Sequence, residues 1–188
     1  MKIQLIIITI FAFIFTACSV KPLDPVKFDT VEKHISFTQD IKPILDNRCV
    51  SCHSCHNSPC QLKLSSFEGL ERGASKKDIY ANRISADSPT RLFIDAVNEK
   101  QWREKGFFSM VDSLENSNES IMMQYLFQKD ANPQIIGEYS PETDELTCVK
   151  DKDELATFFE ENPHKGMPYG FPALKKHEYN LLMTWLKQ

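Results

Sequence analysis

Residues 49–60 read CVSCHSCHNSPC, which places four cysteines and two histidines within twelve positions. The chain has 188 residues and six cysteines, so most of its thiols lie in this one segment. Cysteine and histidine side chains at such density are held by a metal, a cofactor or disulfide bonds. The rest of the chain must fold around this segment, which constrains the structure more than any other feature of the sequence.

The first five residues of the segment, Cys49-Val-Ser-Cys52-His53, form the C-x-x-C-H motif that attaches a c-type haem. Two thiols at this spacing form thioether bonds with both vinyl groups of one porphyrin, and the following histidine ligates the iron. The motif therefore predicts one covalent haem c, with Cys49 and Cys52 as its attachment points. His53 is the predicted proximal ligand of the iron.

A second C-x-x-C-H motif overlaps the first, because residues 52–56 read CHSCH, and the single sulfur of Cys52 cannot serve both. The segment upstream decides between them, since its apolar residues recur at helical spacing. Asp40 is the predicted N-cap of this helix, with Pro43 in the first turn. A short helix that leads into C-x-x-C-H resembles the start of class I cytochromes c and selects the first motif. Its predicted apolar stripe consists of Ile41, Ile44 and Leu45.

Three other interpretations of the segment stay open. The C-x2-C-x2-C-x4-C spacing resembles that of a bacterial ferredoxin, although Pro59 precedes Cys60 here instead of following it. A zinc ion needs only four of the available ligands. A set of disulfides suits an oxidising compartment but leaves the positions of the histidines unexplained.

Met167 is the predicted second ligand of the iron, on the distal face of the haem. It lies between Gly166 and Pro168, in a stretch whose glycines and prolines exclude regular structure. His164 is the alternative distal ligand. A C-terminal amphipathic helix is predicted over about 174–187, with an apolar stripe of Tyr179, Leu182, Met183 and Leu186. Four other methionines are expected in the core: Met110, Met122, Met123 and Met183.

The N-terminus predicts export. Residues 1–17 combine Lys2 with an apolar run at 5–15 and small residues, as a signal peptide does, and the run is too short to span a bilayer. Cys18 follows Phe-Thr-Ala, which resembles the lipobox of a bacterial lipoprotein. We expect a lipidated Cys18 to anchor the exported chain to a membrane; an ordinary signal peptide with a chance cysteine is the alternative.

The composition describes a globular domain. Hydrophobic residues make up 41% and charged residues 26%, and the formal net charge of −4 argues against a nucleic-acid partner. The predicted fold class is mostly α: a class I cytochrome c-like helical haem domain over residues 36–188, after a linker at 18–35. A long insertion, about 61–150, separates the haem motif from the distal methionine loop.

Within this insertion the sequence predicts a helix around Glu68 and Arg72 and a β-like run at 92–94. A further helix is predicted to start near Asp95 or Asn98. The last two predicted elements are a helix over 115–133 and a loop over 134–150.

Five motifs in one order carry a resemblance to a known family. They are RCVSCHSC, SPCQLKLSSFEGLERGA, TRLFIDA, QWREKGFF and KGMPYGFPAL, within a span from about residue 36 to the C-terminus. The chain resembles the N-terminal part of the bacterial fatty acid cis/trans isomerase. Family members are several times longer, so we expect a truncated or split member whose partner is a separately encoded remainder.

The resemblance implies a periplasmic haem-c enzyme that converts cis double bonds of membrane phospholipid acyl chains to trans, which stiffens the membrane under stress. In this hypothesis an oxidised iron withdraws electron density from the double bond, and the catalytic residues are His53 and Met167. Two other functions stay open: a periplasmic one-haem electron carrier, and a zinc-stabilised structural lipoprotein.

Some further side chains are candidates for substrate or cofactor contacts. The candidates for phosphate head groups or haem propionates, with structural ion pairs as the alternative, are Arg72, Arg83, Arg91 and Arg103. The aromatic candidates for an acyl groove, with the core as the alternative, are Trp102, Phe107 and Phe108. Once haem and lipid have used three cysteines, one disulfide can form, and it pairs Cys148 with Cys55 or Cys60.

Overall fold

The computed structural model describes residues 20–54, 58–76, 90–133 and 148–188. Within these ranges the regular structure is helical, with isolated β-bridges and no strand, which confirms the mostly α fold class. No helix in the described ranges is long and apolar enough to cross a membrane. The α-helices are α1 (Lys42–Arg48), α2 (Phe67–Arg72), α3 (Glu99–Glu104), α4 (Ile121–Ala131), α5 (Lys152–Glu161) and α6 (Lys176–Trp185).

Helix α1 has the predicted apolar stripe, which is buried in the main core at Ile41, Ile44 and Leu45. The prediction that Asp40 is the N-cap is wrong. A π-helical turn at Phe37–Ile41 precedes α1, so the chain begins to coil four residues earlier, at Ser36. The Ser36 hydroxyl accepts a hydrogen bond from the Gln39 N–H (3.3 Å), and the Asp40 carboxylate accepts one from the Ser36 N–H (2.9 Å).

Helix α4 lies at the centre of the core. It spans Ile121–Ala131 and not 115–133, because the Ser120 hydroxyl caps its first turn by accepting from the Met123 N–H (3.3 Å). A bridge between Ser113 and Ser120 holds the residues before it in a turn. The buried apolar side chains of α4 are Ile121, Met122, Met123, Tyr125 and Leu126.

Helix α5 was not predicted, although the sequence contains its start signal. The Asp151 carboxylate accepts from the Glu154 N–H (3.0 Å), which is the N-cap bond expected of Asp before an apolar period. The apolar residues that follow are spaced three and four apart, as in an amphipathic helix. These core residues are Leu155, Phe158 and Phe159.

The predicted β-like run at 92–94 is wrong, because these residues form part of a compact turn. Asp95 closes the turn by accepting from the Arg91 N–H (2.7 Å), and the Asp95 N–H donates to the Arg91 carbonyl oxygen (3.0 Å). Asn98 then caps α3 by accepting from the Gln101 N–H (3.0 Å), which confirms one of the two predicted helix starts.

Helix α6 forms near the predicted place, with bounds of Lys176–Trp185 instead of about 174–187. Its stripe is buried at Tyr179, Leu182 and Met183. Residues 20–35 have no regular secondary structure and pack along this helix. The Tyr179 hydroxyl donates to the Lys27 carbonyl oxygen (3.0 Å), and the Val31 N–H donates to the Thr184 hydroxyl (3.1 Å).

A small second core surrounds the buried guanidinium of Arg72, which is 1% exposed. The guanidinium lies over the rings of Trp102 (5.6 Å) and Phe107 (5.2 Å). It donates to the carbonyl oxygens of Thr90 (2.6 Å) and Gln61, so it joins three separate segments. Burial lowers the pKa of Arg72 to about 10, and the group therefore stays charged at neutral pH.

Replacing Arg72 by methionine is expected to lower the free energy of unfolding by about 2–4 kcal/mol, because the buried Gln61 carbonyl oxygen and the part-buried Thr90 carbonyl oxygen lose this donor. Lys21→Met is the matched control, since the side chains of Lys21 and its partner Asp24 are 69% and 66% exposed and their ion pair is on the surface. Denaturant unfolding of both variants measures the difference. Equal midpoints for the two variants would contradict the structural role of Arg72.

Candidate functional site

The C-x-x-C-H residues form a turn that continues directly from α1. The Cys49 N–H donates to the carbonyl oxygen of Leu45 (2.8 Å). The Cys49 carbonyl oxygen in turn accepts from the N–H groups of Cys52 (3.2 Å) and His53 (2.9 Å). Residues three apart on such a turn lie on the same side, so both thiols are presented together. Cys49 and Cys52 are free cysteines, and burial raises the pKa of the Cys49 thiol to about 12.

The His53 ring is held in one tautomer. Its Nδ1 lies 3.3 Å from the carbonyl oxygen of Leu62, which can only accept, so Nδ1 carries the proton and donates. Nε2 is then the nitrogen with the lone pair, as in a metal-ligating histidine. Burial lowers the pKa of His53 more than the bond to Leu62 raises it, and this favours the neutral imidazole. The Leu64 N–H donates to the His53 carbonyl oxygen (2.8 Å), so the backbone of His53 is held to the same segment as its ring.

A cavity of about 210 Å³ opens beside this turn, and Cys49, Cys52, His53 and Met167 all line it. One water needs only about 10–15 Å³, and native interiors contain few larger voids, so this volume is a built feature of the fold. The other lining residues are mostly apolar. They include Leu62, Leu64, Phe108, Met110, Met122, Tyr125, Leu126, Val149 and Phe158.

Much of this apolar wall comes from residues 61–150, the segment that the sequence predicted as an insertion. Apart from Phe108, a predicted candidate for an acyl groove, these residues were not predicted as part of the site, because they are far apart along the chain and share no motif. For the part of the cavity wall that α4 forms, the helical spacing of its apolar residues was the available sequence signal. Met122, Tyr125 and Leu126 follow this period and line the cavity together.

Met167 reaches the cavity because its loop packs tightly against α4. The Met167 N–H donates to the Tyr125 carbonyl oxygen (3.0 Å). Gly166 is buried, and a Cβ at this position would lie 2.7 Å from the Cα of Lys129 and closer still to its backbone nitrogen. Only glycine lets the loop approach the helix this closely. His53 and Met167, the predicted proximal and distal ligands, therefore line one cavity although their sequence separation is 114.

A disulfide between Cys60 and Cys148 closes one side of the cavity, with a Cα–Cα distance of 5.4 Å and a sequence separation of 88. This confirms one of the two predicted pairings. Cys60 is therefore not a free ligand, which removes it from a ferredoxin-like set of four cysteines. Among the described residues no group of three or more His, Cys, Asp or Glu side chains is arranged to hold a metal ion; Cys55 and His56 lie outside them.

Replacing Cys60 and Cys148 together by alanine is expected to lower the free energy of unfolding by about 2–5 kcal/mol, because the closed loop is long. Thermal unfolding with and without a reductant measures the effect. The reductant should destabilise the parent chain and leave the variant unchanged. A variant as stable as the parent would contradict a structural role for this bond.

Arg48 is a lining residue that the sequence analysis did not single out, although it directly precedes the first motif cysteine. Its guanidinium donates two bonds to one carboxylate oxygen of Glu178 (3.3 and 3.2 Å) and one bond to the other (2.9 Å). Burial tends to raise the pKa of Glu178, but the Lys175 N–H and the Arg48 guanidinium lower it overall. This ion pair joins α1 to α6 beside the cavity.

The other arginines predicted to contact substrate or cofactor do not line the cavity within the described residues. Arg91 and Arg103 each form an ion pair with a carboxylate four positions away, at 2.9 Å. Arg72 belongs to the second core, and Arg83 lies outside the described residues. Arg72, Arg91 and Arg103 therefore all have partners within the protein, and none of the three lines the cavity.

The aromatic candidates divide between core and cavity. Trp102 and Phe107 are buried in the second core, whereas Phe108 is half-buried and lines the cavity. His164, the alternative distal ligand, is exposed and is not among the lining residues. Cys18 lies outside the described residues.

A protein-family model for fatty acid cis/trans isomerase matches residues 87–188. The match covers just over half of the chain and includes α3 to α6 and Met167. It begins after the C-x-x-C-H segment. No curated protein and no solved structure gives a significant match to the chain.

Proposed function

Because the chain belongs to the fatty acid cis/trans isomerase family, we propose that it converts cis double bonds in the acyl chains of membrane phospholipids to trans, with one covalent haem c as cofactor. One observation carries the cofactor part of the proposal. Two free thiols three residues apart, an imidazole with an available Nε2 and a thioether line a single apolar cavity.

These residues fit a haem c by their chemistry. Cys49 and Cys52 would hold the group covalently through their sulfurs, and neutral His53 and the Met167 sulfur would be ligands of its iron. The apolar walls suit the porphyrin ring. The proposed fold is accordingly a cytochrome c-like haem domain whose insertion supplies much of the cavity wall.

Isomerisation requires rotation about a double bond. The partial double bond of a peptide already has a barrier of about 18–20 kcal/mol, and that of a full double bond is far higher. A bound haem would supply an oxidised iron that can withdraw electron density from the double bond and return it, so that no net redox change is required. Acid–base groups act poorly on an isolated olefin. The task of the protein is therefore to bind the haem and the acyl chain and to position them.

The side chains of this chain perform that task. The Leu62 carbonyl oxygen fixes the His53 tautomer, and the contact of Gly166 with α4 fixes the position of Met167. The apolar walls exclude water and accept hydrocarbon. Of the lining residues that the structure describes, only Arg48 is a permanently charged side chain, and Glu178 neutralises it.

The membrane setting is part of the proposal. An exported chain held by a lipidated Cys18 in the periplasm would lie at the surface where its phospholipid substrate is found. Conversion of cis to trans chains would stiffen that membrane under stress.

The proposal is tested by expressing the chain in a strain that lacks fatty acid isomerase and measuring trans acyl chains after solvent shock by gas chromatography. We expect trans chains to increase with the parent chain and to stay at background with the Cys49→Ala control. An equal level in both strains would contradict the haem-dependent activity. Reversible reduction of the purified chain without any trans product would instead favour the electron carrier.

A further inference from the structure

Three exposed apolar side chains lie together between Thr90 and α3. Phe93, Ile94 and Val97, here called the apolar tip, are 64%, 68% and 64% exposed. They are the most exposed large hydrophobic side chains in the described residues. A single exposed apolar residue is common on protein surfaces, but three within five positions indicate an interaction site. Isomerase activity at the cavity does not by itself explain these exposed side chains, because none of them lines the cavity.

The backbone holds the tip in a defined shape. Phe93 has a φ of +64°, a left-handed conformation that is unfavourable for an aromatic residue and is typically found where the surrounding structure enforces it. The enforcing contacts come from Arg91 and Asp95. The Arg91 guanidinium donates to the Asp95 carboxylate (3.0 and 2.9 Å), which also accepts from the Arg91 N–H (2.7 Å).

The residues between the tip side chains anchor it to the protein. Ala96 is buried in the second core, and Leu92 packs against that core. The Val97 N–H donates to the side-chain oxygen of Gln101 in α3 (2.8 Å). The turn therefore has an inward face that packs on the protein and an outward face that consists of the tip.

The same framework connects the tip to the cavity. Thr90, at the start of the turn, accepts a hydrogen bond from Arg72, and Arg72 also donates to Gln61. Gln61 lies between Cys60 and Leu62, which both line the cavity. A surface that holds the tip would consequently hold the cavity in a fixed orientation.

The charges around the tip suit an anionic surface. The Arg91 side chain is 68% exposed, whereas the Asp95 side chain is only 7% exposed. Lys100 is exposed, and Lys105 is close enough to lower the pKa of Asp95, after the larger effect of Arg91. Residues 90–105 have four basic and three acidic side chains, an excess of one positive charge in a chain whose formal net charge is −4. Asp95 and Glu99 pair with Arg91 and Arg103, and the third acid, Glu104, is exposed. Basic residues beside exposed apolar ones are the pattern of a membrane-surface contact.

We propose that the apolar tip inserts into the surface of an anionic phospholipid bilayer and orients the cavity toward the acyl chains. The choice of a bilayer over a second copy of the chain rests on the proposed function, since its substrate is part of a bilayer. The tip and its basic neighbours supply the surface contact, and the Arg72 bonds transmit the orientation.

The first test places a tryptophan in the tip. The full-length Ile94→Trp variant is mixed with vesicles of phosphatidylethanolamine and phosphatidylglycerol whose acyl chains are brominated, and tryptophan fluorescence is measured. Phe67→Trp is the matched control, because Phe67 is an exposed aromatic residue (41%) in α2. We expect additional quenching for Ile94→Trp and none for the control, relative to the parent chain. Equal quenching of the tryptophan fluorescence of both variants by the brominated vesicles would overturn the proposal.

The second test removes the tip. Phe93→Ser with Ile94→Ser is expected to weaken binding to the same, unbrominated vesicles by at least about tenfold. Formation of trans chains from vesicle phospholipid should fall in parallel, with activity on detergent-solubilised phospholipid unchanged. Unchanged vesicle binding would overturn the proposal. So would concentration-dependent self-association that the same substitutions abolish, with no quenching at position 94.

These outcomes separate the two proposals. If Ile94→Trp is quenched and no trans product forms with any substrate, the docking surface stands and the proposed function fails. If trans product forms equally well with and without the tip, the proposed function stands and the docking surface fails.

Discussion

A chain in which Cys49 and Cys52 are both replaced by alanine is expected to contain no covalent haem and to form no trans acyl chains. Both cysteines are free and line the cavity, so the substitutions remove the attachment points without breaking a disulfide. Relative to the haem-free parent chain, the two substitutions should cost less than about 1 kcal/mol of unfolding free energy, because neither side chain is fully buried. Haem staining after denaturing electrophoresis and gas chromatography of acyl chains measure the two losses.

The chain offers a matched control for this experiment. Cys60→Ala with Cys148→Ala also removes two cysteines that line the cavity, but these form the disulfide. We expect this control to keep its covalent haem while it loses stability. Covalent haem in the variant that lacks both Cys49 and Cys52 would contradict their role as attachment points. Full haem attachment in a Cys49→Ala single variant would show that the overlapping motif, Cys52 with Cys55, attaches the cofactor instead.

Gly166→Ala is expected to displace Met167 and to lower isomerase activity on the order of a hundredfold, as small misplacements in an active site can. The added Cβ would meet backbone atoms of Lys129 in α4. A helix backbone cannot move aside as the end of a flexible side chain can. The loop must then shift and lose the hydrogen bond from the Met167 N–H to Tyr125. Overpacking of this kind also costs about 1–3 kcal/mol of stability. Activity and the absorption signature of thioether ligation to iron measure the change.

Gly106→Ala is the control for this substitution. Gly106 has a φ of +86°, but a Cβ there meets no atom within 4 Å. We expect about 1 kcal/mol of backbone strain and no change in activity or spectrum. If Gly166→Ala behaved like Gly106→Ala, the close approach to α4 would not be what positions Met167.

Local sequence patterns predicted the helices α1 and α6 well. The apolar period of α1 and that of α6 place buried residues where the sequence expects them, such as Leu45 and Leu182. Both helices have a strong stripe and lie next to a distinctive motif. The helix caps were less predictable, because Ser36 and Asp40 can both accept hydrogen bonds, and the choice depends on where coiling begins.

The middle of the chain was harder to predict, because tertiary contacts decide its structure. Leu92, Phe93 and Ile94 have a high β propensity, yet Arg91 and Asp95 close them into a turn, and the described residues offer no partner strand. The cavity wall combines α4 with distant loops, and no sequence period links these segments. Counting cysteines left Cys148 with two candidate partners, and only the folded chain brings Cys60 within bonding distance.

The central claim is that a haem held at this cavity isomerises phospholipid acyl chains. The most direct measurement uses the purified full-length chain, first weighed by intact mass spectrometry and then incubated with vesicles of cis-unsaturated phospholipid without any reductant. Our account predicts the added mass of one haem, trans acyl chains that accumulate with time, and an iron redox state that is the same before and after. A haem-loaded chain that forms no trans product from these vesicles or from detergent-solubilised phospholipid would contradict the account.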